Sequence, residues 1–163
     1  MTFDPVRICQ VLNEEAVDYV IIGGLAAALR GSPLPTEDVD VLPARDAENL
    51  DRLARALNRL NARIRTDRES VQVRIDGPFL AKMPHMLNLV TDAGILDIAF
   101  TPAGAKADFG SWDQAATSES IADGLVVRVA SLDDVIASKR AANRPKDLRS
   151  LPYLESLRDA DRA

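Results

Sequence analysis

Aromatic residues, cysteine, histidine and long apolar runs are all scarce in this sequence. Aromatics make up 4% of the chain, so the core must be built from alanine, leucine, valine and isoleucine. The single cysteine, Cys9, excludes an intramolecular disulfide and is expected to be a small buried residue. The lone histidine, His85, cannot form a histidine metal cluster and is interpreted as a satisfied strand-edge residue. No apolar run reaches the roughly 20 residues of a membrane span, and the start lacks the basic and apolar regions of a signal peptide. We therefore expect a cytoplasmic protein with no membrane contact.

An excess of positive charge is also absent. The net charge is −5 and the pI is near 4.9, so the overall charge does not favour nonspecific nucleic-acid binding, although a local basic patch is compatible with it. The 163 residues are 47% hydrophobic, which is enough for one domain with its own core. We predict a single domain over 1–163, with an α/β core over 1–130 and C-terminal helices over 131–163.

One stretch, from Tyr19 to Pro43, carries the strongest pattern in the chain. An apolar run ends at a glycine pair, a helix of small residues follows, and a Gly-Ser-Pro-Leu-Pro turn leads into Asp-Val-Asp-Val. Side chains alternate along a strand, so Asp38 and Asp40 are predicted to share one face. Two carboxylates in an apolar setting need a positive partner, and magnesium is the simplest candidate.

The glycine pair, Gly23 and Gly24, has two interpretations. It is either a tight turn that lets helix and strand pack closely, or a backbone platform whose N–H groups hold a phosphate at a helix N-terminus.

The rest of the chain reads as alternating helices and strands, in the following order: helix 5–13, helix 44–61, strands 62–65 and 71–75, a hairpin of 86–90 and 95–100, a short helix within 104–114, a hairpin of 120–122 and 125–129, helix 131–143, and a last helix from 145. A turn at 76–78 ends the second of the two single strands. This order predicts an α/β fold: a small mixed sheet flanked by helices, with a short helical C-terminal segment.

Two further features are candidates for a site. Asp97 is an acid on an otherwise apolar strand, so it needs a partner: an arginine or backbone N–H, or else a metal or a substrate hydroxyl. Late in the chain lies a basic cluster of Lys139, Arg140, Arg144, Lys146 and Arg149. That cluster is either a solvated surface near helix ends or a triphosphate clamp.

Together these residues resemble a known family. Gly23-Gly24, a spacer of thirteen residues and Asp38-Val39-Asp40-Val41 are similar to the signature of the DNA polymerase β-like nucleotidyltransferase superfamily. Asp97 in Leu96-Asp97-Ile98 matches the family's third carboxylate. The segments from Gly31 to Asp40 and from Ser138 to Asp147 resemble minimal bacterial members, including the AbiEii-type toxins of type IV toxin–antitoxin systems.

The resemblance implies an enzyme that moves NMP from an NTP to a hydroxyl and releases pyrophosphate. Asp38, Asp40 and Asp97 would be catalytic and would bind magnesium, as two ions. The nucleotide-binding residues would be Gly23, Gly24, Ser32, Lys139, Arg144, Lys146 and Asp147.

The acceptor and the partners stay open at this point. The toxin-like resemblance implies a tRNA 3′ end or a protein as acceptor, with a cognate antitoxin as partner. A small antibiotic is the alternative, since small resistance enzymes share the motif. A catalytically silent nucleotide-binding or interaction module with the same fold is the non-enzymatic alternative.

Overall fold

The structure is a computed structural model that describes residues 2–163; Met1, the first residue of the predicted domain, lies outside the described residues. Residues 2–163 form seven helices and one eight-stranded sheet. The helices are α1 (Pro5–Glu14), α2 (Gly23–Leu29), α3 (Ala47–Arg59), α4 (Gly77–Ala81), α5 (Phe109–Ala115), α6 (Leu132–Ala142) and α7 (Pro145–Asp161). The strands are β1 (Tyr19–Ile22), β2 (Asp38–Pro43), β3 (Arg63–Arg65), β4 (Ser70–Val71), β5 (Met86–Thr91), β6 (Gly94–Ala99), β7 (Thr117–Ala122) and β8 (Leu125–Val129).

The sheet is mixed, in the order β4-β3-β5-β6-β2-β1-β8-β7. Strand β2 lies at its centre, antiparallel to β1 and parallel to β6, and β1 is parallel to β8. The outer pairs are antiparallel, including the two predicted hairpins, β5–β6 and β7–β8. The predicted α/β fold with a mixed sheet, flanking helices and a helical C-terminal segment is confirmed.

Side-chain caps set the starts of most helices. Asp4 accepts a hydrogen bond from the backbone N–H of Arg7 at the start of α1, as its position before Pro5 predicts. Asp46 caps α3, so that helix begins three residues later than the sequence suggested. Ser131 caps α6, and Asn143, in the left-handed region with φ of 53°, ends it before Pro145.

The prediction of a strand over 71–75 is wrong, and helix α4 was not anticipated. Only Ser70–Val71 pair with β3, at the edge of the sheet. The chain then turns inward, where Ile75 is buried and its carbonyl accepts a hydrogen bond from Asn58 of α3. Asp76, interpreted as a turn residue, caps α4 by accepting from the N–H of Phe79. The alternating residues 72–75 therefore do not form a paired strand. Their last member, Ile75, packs into the core instead.

The apolar core lies on both faces of the sheet. Leu50, Leu53 and Leu57 of α3 are buried, and Cys9 is buried on α1, as expected. Along β2 the side chains of Val39 and Val41 are fully buried, while the alternating Asp38 and Asp40 are only partly buried. Among residues 2–163, no helix is both long enough and apolar enough to cross a membrane.

Candidate active site

An open cavity of about 930 Å³ lies over the middle of the sheet. It is bounded by the glycine end of α2, by β2, by the β5–β6 hairpin and by helices α6 and α7. This cavity is lined by all ten residues that the family resemblance assigned to the site: Gly23, Gly24, Ser32, Asp38, Asp40, Asp97, Lys139, Arg144, Lys146 and Asp147. The fold therefore brings together residues that are more than a hundred positions apart in the chain.

The three carboxylates meet on neighbouring strands. Strands β2 and β6 are parallel, and their register places Asp40 directly opposite Asp97. Asp38 lies two residues before Asp40 and so points to the same face. Each of the three offers an oxygen within 4.8 Å of an oxygen of the others. This cluster forms because side chains alternate along β2, as the sequence predicted, and because β2 and β6 are parallel neighbours.

The glycine pair is the first turn of helix α2 rather than a loop before it. The helix begins at Gly23 itself, directly after β1. Gly23 has a φ of +65°, and a Cβ there would overlap with the carboxylate of Asp40. A Cβ on Gly24 would lie 2.9 Å from the hydroxyl of Thr36. The pair thus serves the close packing of helix and strand, and the phosphate contact remains a prediction.

The surroundings of the carboxylate cluster disfavour the ionised forms of Asp40 and Asp97. Burial, reinforced by the charges of Asp38 and Asp97, raises the pKa of Asp40 to about 7, and Lys146 and Arg144 only partly oppose this. Burial also raises the pKa of Asp97, against the opposing effect of Arg65. Such raised values are expected where carboxylates are gathered for a cation.

The protein partner of Asp97 is Arg65 of β3, which the sequence did not single out. Its Nη2 donates to Oδ1 of Asp97 over 3.0 Å, and its side chain is 39% exposed to the cavity. The sequence alone allowed an arginine as the partner of Asp97, beside a backbone N–H, a metal or a substrate hydroxyl. No local signal in the sequence identifies Arg65, because β3 reaches β6 only across β5.

Asp147 organises the cationic wall of the cavity. It is fully buried at the start of α7 and lies 3.5 Å from Nζ of Lys139. Arg144 donates to it three times, from the backbone N–H, from Nε and from Nη2. Burial acts to raise the pKa of Asp147, but the hydrogen bonds and charge of Arg144, with the charge of Lys139, outweigh it and leave the pKa lowered. An ionised Asp147 therefore fixes both cations beside the cavity.

Two cations on this wall have no ion-pair partner within residues 2–163. Lys146 and Arg149 line the cavity and form no salt bridge with the described residues. Arg140, also in the predicted basic cluster, instead pairs with Glu155 of α7 and does not line the cavity. The cluster thus divides into a wall that faces the cavity and one arginine that joins α6 to α7.

The chemistry of the donor set fits magnesium. Hard divalent cations prefer carboxylate oxygens and keep room for substrate phosphates. Asp38, Asp40 and Asp97 supply carboxylates from two rigid strands, and the cavity in front of them is open. These three residues are therefore the ones that could hold the predicted magnesium.

Comparisons with known proteins show the fold. A scan of protein-family models finds no match, and a search of curated proteins finds none. Solved structures do match: the lincosamide antibiotic adenylyltransferase LnuA in its lincomycin-bound form aligns over 96% of this chain and 99% of its own, with a TM-score of 0.63 and 15% identity.

Two more solved structures have the same fold. ANT(2″)-Ia in complex with adenylyl-2″-tobramycin covers 96% of this chain and 94% of its own, with a TM-score of 0.58 and 18% identity. An antigenic nucleotidyltransferase-like protein from Paracoccidioides brasiliensis covers 96% and 79%, with a TM-score of 0.52 and 18% identity. The chain therefore has the nucleotidyltransferase fold, as its glycine and aspartate motif suggested.

Proposed function

We propose that the protein is a magnesium-dependent nucleotidyltransferase that moves NMP from an NTP to an acceptor hydroxyl. The observation that carries the proposal is the convergence on one open cavity of three carboxylates and a cationic wall in which Lys146 and Arg149 have no ion-pair partner among residues 2–163. Phosphoryl and nucleotidyl transfer need these two parts: charge that positions and neutralises the polyphosphate, and carboxylates that hold the metal. The fold supports the same assignment.

Each side of the cavity has its own role in this proposal. Asp38 and Asp40 would hold magnesium, which when bound stabilises negative charge on the reacting phosphate oxygens. Asp97 would complete this site and accept the proton of the acceptor hydroxyl. The acceptor oxygen then bonds to the α-phosphorus as the bond from that phosphorus to the β-phosphate oxygen breaks, and pyrophosphate leaves.

The cationic wall would bind the triphosphate. Lys139 and Arg144 are fixed by buried Asp147, and Lys146 is free to approach the phosphates. Gly23, Gly24 and Ser32 also line the cavity, and backbone N–H groups of the first turn of α2 would contact phosphate oxygens there. Fixed cations and backbone dipoles neutralise polyphosphate without reorganising during the reaction.

For the acceptor, the charges of the cavity support an anionic or neutral molecule such as a tRNA 3′ end or a protein hydroxyl. Beside the carboxylate cluster, the lining contributed by residues 2–163 holds only two further acids: Glu37, and Asp147, which is already paired. A polyamine such as tobramycin would find few carboxylates to bind its ammonium groups. Arg149, which lines the cavity and has no ion-pair partner among residues 2–163, suits a phosphate-bearing acceptor better.

A small antibiotic is the second candidate acceptor, supported by the comparisons. LnuA was solved with lincomycin and ANT(2″)-Ia with an adenylylated tobramycin, and both match this chain over nearly their full length. The cavity of about 930 Å³ also lies within the range of pockets for small molecules.

The test of the reaction is transfer of label from each of the four α-³²P-labelled NTPs with magnesium. Candidate acceptors are total tRNA, cell lysate, lincomycin and tobramycin. We expect label in one acceptor fraction, absent in the Asp38→Asn, Asp40→Asn double variant and unchanged in Asp123→Asn, an exposed acid of the β7–β8 turn. Equal labelling by the double variant would contradict the proposal.

A growth experiment separates the acceptors in the cell. The AbiEii-type, toxin–antitoxin hypothesis predicts that induced expression arrests growth, that the double variant does not, and that a cognate antitoxin restores growth. The antibiotic hypothesis predicts normal growth and a raised tolerance to the modified drug.

A further inference from the structure

We propose that Arg65 is a positioning residue that holds the carboxylate of Asp97 in the orientation needed for metal binding. This inference rests on the proposed function, because it assigns a task to a residue next to the same site. The observation behind it is an ordered row of side chains across the sheet that ends in the ion pair between Arg65 and Asp97.

The row follows from strand register. Asp40 of β2 lies opposite Asp97 of β6, and Asp97 lies opposite Asn88 of β5. On the other side of β5, Ile64 of β3 lies opposite Leu89, so the next residue, Arg65, falls beside Asn88. The row thus runs from Asp40 through Asp97 and Asn88 to Arg65, on the face that carries the cavity.

Arg65 reaches its partner across an intervening strand. Adjacent strands are about 4.8 Å apart, so its backbone lies two such spacings from β6. The guanidinium nevertheless lies 3.0 Å from Oδ1 of Asp97, passing over Asn88 in the row. Only a long side chain at this position can contact the third carboxylate from outside the cluster.

This contact constrains one carboxylate oxygen. The Asp97 side chain is 9% exposed, and Arg65 supplies its only side-chain hydrogen bond within residues 2–163. The guanidinium holds Oδ1, and the carboxylate that it orients has an oxygen within 4.8 Å of oxygens of Asp38 and Asp40. Carboxylates that bind metals are commonly oriented by such outer partners, and losing the partner costs about 10- to 100-fold in metal affinity or activity.

Arg63 provides a matched control. It lies on the same strand, two residues earlier, and its guanidinium forms an ion pair with Asp92 over 3.3 Å. It does not line the cavity. Arg63→Ala therefore removes an arginine ion pair from β3 and leaves every residue of the row unchanged.

The experiment measures binding of Mn²⁺ alone to the full chain by electron paramagnetic resonance of the free ion. The proteins are wild type, Arg65→Ala, Arg65→Lys, Arg63→Ala and Asp38→Asn, each checked for thermal unfolding. We expect Arg65→Ala to bind Mn²⁺ at least tenfold more weakly at an unchanged melting temperature, Arg65→Lys to recover part of that loss, and Arg63→Ala to match wild type.

Two results would overturn the inference, and only the second would also overturn the proposed function. If Arg65→Ala binds Mn²⁺ as wild type or more tightly while Asp38→Asn is impaired, Arg65 is not a positioning residue but the carboxylate site stands. If Asp38→Asn also binds as wild type, the proposed function fails together with the inference. Should Arg65→Ala unfold, Arg65→Lys decides, because a lysine that binds Mn²⁺ as well as arginine does would contradict the need for an oriented guanidinium.

Discussion

The carboxylate of Asp40 occupies the space that a side chain on residue 23 would need. Gly23 begins helix α2 directly after β1, and Asp40 lies on the neighbouring strand opposite Ile22. Because residue 23 is a glycine, helix α2 can begin in contact with the carboxylate cluster. This contact joins the two parts of the sequence motif, the glycine pair and the two aspartates of β2.

Replacing Gly23 with alanine should disable the site more than it destabilises the fold. A side chain at a φ of +65° costs about 1–2 kcal/mol, and its Cβ must also displace the Asp40 carboxylate. Misplacing a reacting group by about 1 Å can cost roughly a hundredfold in rate, so we expect a loss of that order in the transfer assay.

Gly124→Ala is the control for Gly23→Ala. Gly124 has a similar φ of +71°, but no atom lies within 4 Å of the added Cβ. Both variants should lose similar stability in urea unfolding, and only Gly23→Ala should lose activity. A fully active Gly23→Ala would show that the approach of helix to carboxylate does not matter.

The raised pKa of Asp40 predicts an unusual dependence of stability on pH in metal-free protein. Burial and neighbouring carboxylates raise this pKa from 3.8 to about 7. Between these values the folded state keeps a proton that the unfolded chain has released, so stability falls as pH rises, by at most about 1.4 kcal/mol per pH unit.

Urea unfolding at pH 4 to 8 in EDTA measures this effect as the difference between wild type and Asp40→Asn, which cancels the groups that titrate independently of the carboxylate cluster. Magnesium should reduce the difference, because bound cation favours the ionised carboxylate. A wild-type protein whose stability follows that of Asp40→Asn throughout the range would be inconsistent with a raised pKa.

Asp147 should contribute to stability as well as to the nucleotide site. It is fully buried and pairs with Lys139 and Arg144, so Asp147→Asn leaves two cations without their shared partner. Breaking a fully buried pair costs about 3–5 kcal/mol, and because Arg144 is 56% exposed while Lys139 is 12% exposed we expect a loss at or below the lower end of that range. Asp159→Asn, at a side chain that is 71% exposed and pairs with Arg158 on the same helix, should be near wild type. Equal unfolding midpoints for the two variants would refute the structural role.

Lys146 should affect nucleotide binding without affecting stability. It is exposed in the cavity and has no salt-bridge partner among residues 2–163. A charge-assisted contact is worth about 1.5–3 kcal/mol, so Lys146→Gln should raise the KM for NTP roughly tenfold or more. Lys82→Gln, an exposed lysine outside the cavity, is the control. An unchanged KM in Lys146→Gln would remove this residue from the nucleotide site.

The sequence was most informative where chemistry and local structure agree. Alternation along β2 placed Asp38 and Asp40 on one face, and capping residues located α1 and α6. The hairpin signals located β5–β6, and with it Asp97. These features depend on short stretches of chain, where side-chain period and turn geometry decide the outcome.

What the sequence could not predict depends on strand order. Arg65 meets Asp97 only because β3 joins the sheet beside β5, a pairing between distant segments. The segment 72–75 alternates like a strand, but it lies beyond the sheet edge and anchors Ile75 in the core. Local patterns do not distinguish these tertiary outcomes.

We propose that Asp38, Asp40 and Asp97 hold a divalent metal next to a triphosphate site. The most direct measurement is a crystal structure with Mn²⁺ and a non-hydrolysable NTP analogue, with anomalous scattering recorded to locate manganese. We expect an anomalous density peak between the three carboxylates, with the triphosphate against Lys139 and Lys146. A well-ordered nucleotide bound elsewhere, or manganese absent from the three carboxylates at saturating concentration, would contradict it.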